Sequence, residues 1–161
     1  MKKIITLFLA IALLSCNDGD FDVPEFEFTE TLNHCGEYVL YKTNDTSTEV
    51  IVLTLNPTDL GTIEGEKSVT IPSSVSIIYR IFDEGIDSDY FCQEIPPSTP
   101  LIIKELVAQS GTVNITTTKI LTDDVVTGYS YTIAISNLLF NDIDERILFE
   151  SFDFGTLEIN L

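Results

Sequence analysis

Apolar and polar residues alternate along most of this chain from about residue 37 to its end. In residues 129–136 the alternation is clearest, because Tyr129, Tyr131, Ile133 and Ile135 are separated by smaller or polar residues. A period of two is typical of a strand with one buried face. Further segments of strand character lie at residues 38–42, 49–55, 68–71, 75–82, 112–118, 147–152 and 156–161. The pattern therefore predicts about eight strands.

Two local signals complete the predicted fold. Residues 153–155 lie between the last two predicted strands and end in Gly155, which predicts a turn that joins those strands as a hairpin. Only residues 101–109 look helical, with Pro100 before them and Gly111 after them. We therefore predict an all-β fold, an antiparallel β-sandwich (immunoglobulin-like or related) of about eight strands, with at most one short helix near 101–109.

The N-terminal segment departs from this alternation. Lys2 and Lys3 precede the mostly apolar residues 4–14, and this order of charge and apolar core is typical of a secretory signal. A helix that spans a bilayer needs ~20 apolar residues, so the segment is too short for that role. We predict a signal peptide at residues 1–15.

The signal ends in Leu13-Leu14-Ser15-Cys16, which resembles the lipobox of bacterial lipoproteins. The resemblance implies that Cys16 carries lipid and becomes the new N-terminus, so that the protein is tethered to a membrane. Stable attachment needs more than one acyl chain, which a diacylated or triacylated cysteine provides. The alternative is an ordinary secretory signal in which Cys16 is incidental.

An acidic stretch follows Cys16, beginning with residues 17–22. It resembles the export tag of surface lipoproteins of the Bacteroidota, and this resemblance implies display on the outer leaflet of the outer membrane. A polar tether would also suit an anchor that faces the periplasm. The predicted organisation is a lipidated cysteine with an acidic tether at 16–33, followed by one β-sandwich domain at 34–161.

Charge restricts the partners of the mature chain. After residue 16 there are six basic residues against 26 acidic ones, a net charge of −20. Nucleic acids and anionic leaflets are bound through basic patches, so we predict no nucleic-acid partner. The predicted partners are a membrane, through lipid on Cys16, and an envelope protein or extracellular ligand.

The two remaining cysteines, Cys35 and Cys92, predict a disulfide in an oxidising compartment. A bridge across so long a loop stabilises the fold by up to about 4 kcal/mol on the chain-entropy model. The alternative is two buried free thiols.

Catalytic signals are weak, and we predict that the protein is not an enzyme. The only histidine, His34, precedes Cys35, but neighbours on an extended chain point to opposite faces. Motifs for zinc, phosphate or a serine nucleophile are absent from the sequence. Arg80 reads either as an anion ligand or, more simply, as an ion pair with Glu94 or Glu105. A hydrolase with a carboxylate pair is the less favoured alternative.

Calcium is the one cofactor candidate. Asp83, Glu84, Asp87 and Asp89 fall within seven residues between two predicted strands, and hard cations prefer several carboxylate oxygens from one loop. Asp83, Asp87 and Asp89 are the candidate ligands, although the spacing is not that of an EF-hand. The alternative is a solvated acidic loop. This loop supports a second function hypothesis, a calcium-dependent adhesion or glycan-associated accessory protein.

Several short stretches resemble small uncharacterised lipoproteins of the Bacteroidota. They are Ile78-Tyr79-Arg80-Ile81-Phe82, Asp89-Tyr90-Phe91-Cys92, Ile95-Pro96-Pro97 with Pro100, and Ser110-Gly111-Thr112-Val113 with Thr116-Thr117-Thr118. The resemblance implies a location in the cell envelope and a structural half-cystine at Cys92, and it implies no activity. The leading hypothesis is therefore a lipid-anchored, non-enzymatic binding or structural module that meets partners at exposed sheet edges.

Overall fold

The computed structural model describes residues 21–22, 27–142 and 146–161, and in this part the chain is all β apart from a single 3-10 turn. The predicted signal at 1–15 and the predicted lipid site Cys16 lie outside the described residues. The elements, in chain order, are β1 Phe21–Asp22, β2 Asn33–Cys35, β3 Val39–Thr43, β4 Glu49–Thr54, β5 Gly65–Ile71, β6 Ser76–Phe82, the 3-10 turn Tyr90–Cys92, β7 Ile102–Thr122, β8 Val125–Asn141 and β9 Arg146–Asn160.

The strands form one curled sheet in the order β1-β9-β8-β7-β6-β4-β3-β2. Strands β2 to β9 are antiparallel to their neighbours, whereas the two-residue β1 pairs parallel to β9. The prediction of an all-β antiparallel fold is confirmed. The sheet is a half-barrel, so the finer prediction of an immunoglobulin-like sandwich is not confirmed.

Strand β7 explains this shape. Its 21 residues pair with β6 near the start of the strand and with β5 from Gly111 to Thr117, both along one edge. Strand β8 covers the other edge from Ala108 onward. Because one strand belongs to both halves of the sheet, the sheet bends along β7 instead of separating into two stacked layers.

The predicted helix at 101–109 is wrong, since Ile102–Thr122 is a strand. Leu106 and Ala108 are buried while Val107 and Gln109 are exposed, which is a period of two. A helix here would leave the edge of β6 without its ladder, in which Ile78 pairs with Val107. Pairing with β6 therefore overrides the local signals from Pro100 and Gly111.

The predicted turn at residues 153–155 is also wrong, because β9 runs through it. Ile133 of β8 pairs with Gly155 and the next residue, Ala134, pairs with Asp153, so Phe154 is an additional residue in a β-bulge. Gly155 has a φ of 117°, which the bulge requires and which a residue with a side chain rarely adopts. Its positive φ bends a strand rather than reversing the chain.

The main hydrophobic core lies inside the half-barrel. Its largest fully buried side chains include Phe140 and Phe154, and strands from both halves of the sheet contribute. The buried members are Leu40, Ile51, Leu53, Leu55, Val69, Ile71, Val75, Ile77, Tyr79, Leu106, Ala108, Val113, Ile115, Tyr131, Ile133, Ile135, Leu138, Phe140, Ile147, Phe154 and Leu157.

Side chains from the segment before β2 and from β3 reach β9 across the open side of the half-barrel. Phe28 packs edge-on against Phe152, with ring centroids 5.6 Å apart. Leu32 lies against Gly155, where an added Cβ would be 3.2 Å from the Leu32 Cβ. The buried Lys42 ammonium donates to the Asp153 carbonyl oxygen at 3.3 Å. Phe28 and Leu32 thus pack against the core although they fall within the predicted tether.

Candidate functional site

A long excursion of the chain covers the outer face of the half-barrel. Residues 83–101, which we call the flap, leave β6 and return to β7. They bury a second apolar cluster between themselves and the outer side of β3, β4 and β6. Its buried members are Tyr41, Val50, Val52 and Phe82 from the strands and Ile86 and Tyr90 from the flap.

A disulfide fastens the flap to the sheet. Cys92, at the end of the 3-10 turn, is bonded to Cys35 of β2, with their Cα atoms 5.0 Å apart at a sequence separation of 57. The structure thus joins the two cysteines that the sequence predicted to pair. Phe91 stacks at a tilt on Tyr41, with ring centroids 4.9 Å apart. The bridge and this ring contact hold the same part of the flap.

Polar contacts fix the two ends of the flap. At the end that leaves β6, Asp83 and Leu101 exchange two hydrogen bonds: Leu101 N donates to Asp83 Oδ1 at 2.7 Å, and Asp83 N donates to the Leu101 carbonyl at 3.0 Å. Ile86 N donates to the Ser47 carbonyl at 3.0 Å. At Gly85 any side chain would meet the Thr46 carbonyl oxygen, 2.6 Å from an ideal Cβ, so the flap needs a glycine there.

The Tyr41 hydroxyl joins the sheet to the middle of the flap. It donates to the Ser88 carbonyl oxygen at 2.5 Å. Burial raises the pKa of this phenol above its usual value, and the nearby negative charge of Asp89 raises it further. The hydroxyl therefore stays protonated and remains a donor to the flap at neutral pH.

A small pocket lies beside this hydrogen bond, between β3 and the flap. Its volume is 130 Å³, which is below the range of about 300–1,000 Å³ of sites for drug-sized ligands. It has room for a few waters or a very small group. The lining residues are Asn33, Tyr41, Thr43, Ser47, Ile86, Asp87 and Ser88.

A wider and more open groove of 390 Å³ lies at the same end of the molecule, lined by Glu27, Asn44, Asp45, Thr46 and Glu49. Glu49 Oε2 accepts a hydrogen bond from the Tyr79 hydroxyl at 2.8 Å, so this carboxylate supports the core. Burial, followed by the Glu49 carboxylate, strongly raises the pKa of Tyr79. The groove is acidic, as the net charge of the chain would suggest.

The candidate calcium ligands do not converge. Asp83 is engaged by the backbone of Leu101, Asp87 lines the small pocket, and Asp89 accepts a bond from Gln93 Nε2 at 3.5 Å. Among residues 27–142 and 146–161, no three His, Cys, Asp or Glu side chains form a group that could hold a metal ion. Of the three candidates, Asp83 has a structural contact, since it accepts the Leu101 N–H where the two ends of the flap meet.

The remaining catalytic candidates have structural partners. His34 Nδ1 donates to the Gly36 carbonyl at 2.8 Å, and Cys35 is in the disulfide, so no thiolate is available to this histidine. Arg80 Nε bonds Glu105 Oε2 at 2.6 Å, which confirms the ion pair as the simpler interpretation.

The pKa of the exposed carboxyl of Glu64 is lowered, whereas a general acid needs a raised pKa. Glu64 accepts from the Lys119 backbone N–H at 3.2 Å and lies 3.3 Å from its ammonium, and these contacts lower its pKa. A hydrolase acid requires a pKa raised by burial or by a second carboxylate. Glu64 therefore gives no support to the carboxylate-pair hypothesis.

The sequence interpretation missed the flap as a unit. Tyr90 and Phe91 immediately precede the half-cystine Cys92, and two aromatic residues at that place could have indicated that the segment packs against the sheet. The burial of Lys42 was also missed, although alternation in β3 places it on the same side as the core residue Leu40.

No protein-family model, no curated protein and no solved structure matches this chain. Within the described residues, no helix is long and apolar enough to cross a membrane.

Proposed function

We propose that this chain is a lipid-anchored protein of the cell envelope that presents a disulfide-fastened β domain as a non-enzymatic binding or structural module. The observation that carries the proposal is the use of the three cysteines. The Cys35–Cys92 bridge accounts for both cysteines of the domain. Cys16, directly after the apolar segment, is left as the cysteine for lipid.

The disulfide also supports a location in an oxidising compartment. Such bridges persist in oxidising environments, which include the periplasm and the cell surface, and are rare in the cytosol. The acidic stretch after Cys16 favours presentation on the outer leaflet of the outer membrane, with an anchor facing the periplasm as the alternative.

The contacts of the domain favour binding over catalysis. The residues that sequence suggested for chemistry have structural partners, as His34 and Arg80 illustrate. A disulfide and backbone hydrogen bonds fasten the flap to the sheet. A surface fixed in this way pays little ordering entropy on association, which suits an interaction with an envelope protein or an extracellular ligand.

Lipidation is tested by labelling cells with a clickable fatty acid and comparing wild-type protein with Cys16→Ser. The wild-type band should carry label and enter the detergent phase, whereas Cys16→Ser should do neither. The matched control is the double variant Cys35→Ser with Cys92→Ser, which removes two cysteines but should keep the label. Label retained in Cys16→Ser would refute the anchor.

Display is tested by protease treatment of intact cells with detection of the β domain. Loss of the domain from intact cells supports the outer leaflet and directs the search for partners to extracellular ligands. Protection until the outer membrane is opened would refute surface display and direct the search to periplasmic proteins.

A further inference from the structure

An apolar tip lies at one end of the half-barrel. It consists of Leu101, Ile102 and Ile103, whose side chains are 59%, 45% and 66% exposed. Three consecutive large apolar side chains in contact with water are unusual in a chain of such high charge, and exposed apolar patches mark interaction or membrane sites. The tip is therefore a candidate interaction site.

The backbone holds this tip in place. Leu101 exchanges two hydrogen bonds with Asp83, and Ile102 pairs with Phe82 of β6. The side chains are thus presented by a fixed strand end, and little conformational entropy is lost when they bind.

The start of β1 points to the same end of the molecule. Phe21 pairs with Arg146, which pairs with Asn141 of β8 close to where β8 meets Ala108 of β7. Strand β1 is parallel to β9, and β9 and β7 are each antiparallel to β8, so β1 and β7 run in the same direction. Phe21 is therefore the end of β1 that lies toward the beginning of β7, where the tip is.

The chain between the lipid site and β1 is short. Cys16 precedes Phe21 by five residues, and five residues span at most about 18 Å even when fully extended. If Cys16 carries lipid, a leaflet lies within that distance of Phe21. A tether of this length gives a high effective concentration, so a contact too weak to form between free molecules becomes populated.

From the tip and the short tether we propose that Leu101, Ile102 and Ile103 insert into the interface of the leaflet that holds the lipid on Cys16, an inference that rests on the proposed function. The domain then stands with this end on the membrane. The β7–β8 hairpin, whose turn lies between Thr122 and Val125, points away from it.

The neighbouring charges define the lipid surface that fits. Asp83 bonds Leu101 at the tip and is followed in sequence by Glu84, so deep insertion would remove carboxylate from water and an anionic leaflet would repel it. The tip is therefore suited to shallow contact with a zwitterionic surface.

The absence of tryptophan from the chain permits a direct test. The mature chain, residues 16–161, is coupled through the Cys16 thiol to a maleimide phospholipid in phosphatidylcholine vesicles that contain brominated acyl chains. Ile103→Trp places one fluorophore at the tip, and Val125→Trp, at a position 63% exposed beside the hairpin turn, is the matched control. Thermal unfolding should show that both variants fold as the wild type does.

The expected result is a blue shift and loss of most of the emission for Ile103→Trp on brominated vesicles, with Val125→Trp unchanged. Adding Leu101→Ser and Ile102→Ser should restore the emission of Ile103→Trp, and anionic lipid should reduce the quenching. Absence of quenching, or equal quenching at both positions, would overturn the proposal. So would a blue shift that appears without vesicles and grows with protein concentration, because a second copy would then cover the tip.

Chemical coupling separates this test from that of the proposed function. The vesicle result does not depend on whether cells acylate Cys16, which the labelling experiment decides. Quenching of Ile103→Trp without labelling of Cys16 in cells would support lipid contact by the tip but refute the lipid anchor. Labelling without quenching would refute only the proposed contact of the tip with lipid.

Discussion

The inner core and the flap cluster are two apolar regions of one protein, and they are held together in different ways. Among the described residues the inner core has 21 buried members, drawn from both halves of a continuous hydrogen-bonded sheet, whereas the flap cluster has six. The inner side chains lie on paired strands except for Leu55 and Val75, which adjoin strand ends, whereas Ile86 and Tyr90 belong to a segment outside the sheet ladders. Burial of apolar area supports the first region, and the second also has a covalent link to the sheet.

The comparison shows how an irregular segment can be held on a sheet. A segment without ladder hydrogen bonds contributes little to its own stability and opens easily on its own. The disulfide and the Tyr41–Ser88 hydrogen bond fix the flap at its middle, and the Asp83–Leu101 pair fixes its two ends to each other. Because these few contacts hold the flap outside the sheet ladders, their removal should open the flap without unfolding the core, whereas damage to the core should unfold both regions.

The largest effect is expected from truncation inside the core. Phe154→Ala removes a fully buried ring from the bulge of β9, where it lies 5.9 Å from the Phe152 ring. Loss of a buried phenylalanine costs about 3–5 kcal/mol because a cavity remains. Chemical denaturation followed by circular dichroism should show this loss in a single transition.

The control for that prediction is the substitution Phe91→Ala in the flap. Its ring is only partly buried, so its loss should lower the free energy of unfolding by about 1–2 kcal/mol. An equal loss for Phe91→Ala and Phe154→Ala would contradict the difference between the two regions.

Removal of the disulfide should have the next largest effect. Cys35→Ser with Cys92→Ser releases a constraint on a 57-residue separation and should lower stability by about 2–4 kcal/mol. Hydrogen exchange should then speed up at flap amides such as Ile86 and Tyr90, while amides of β8 stay protected. Reduction of the wild type should reproduce the pattern, and uniform loss of protection across β8 would show that the flap does not open independently.

The sequence predicted the strands well where burial on one face was the deciding force. The alternation at residues 129–136 falls inside β8, and residues 75–82 correspond closely to β6. The pairing of Cys35 with Cys92 was also predicted, because two cysteines allow only one bridge. These features depend on local pattern or simple counting.

The sequence failed where a distant strand decides the local structure. Residues 101–109 are a strand because the edge of β6 is available to them, and residues 153–155 stay extended because β8 continues alongside. The carboxylates of residues 83–89 predict either a calcium loop or a solvated acidic loop, whereas the contact of Phe91 with Tyr41 depends on tertiary packing. None of these partners can be identified from the residues concerned.

The smallest expected effect is a difference between the two regions in how their buried tyrosines make stability depend on pH. Burial raises the pKa of Tyr79 in the core and of Tyr41 under the flap, more strongly for Tyr79. A raised phenol pKa stabilises the fold below pH ~10, and this contribution is lost as pH rises, since the unfolded chain ionises first.

Each such tyrosine should therefore lower the free energy of unfolding by about 1.4 kcal/mol per pH unit above pH ~10, until it ionises in the folded state. Denaturation between pH 9 and 11 (about one unit on either side of the usual phenol pKa) should show a shallower decline for Tyr79→Phe than for wild type. Tyr41→Phe should change the decline less. The pKa of Tyr41 is raised less, so Tyr41 ionises in the folded state at a lower pH and its contribution to the decline stops there. Equal slopes for wild type and Tyr79→Phe would show that the Tyr79 hydroxyl, despite its bond to Glu49, does not govern alkaline stability.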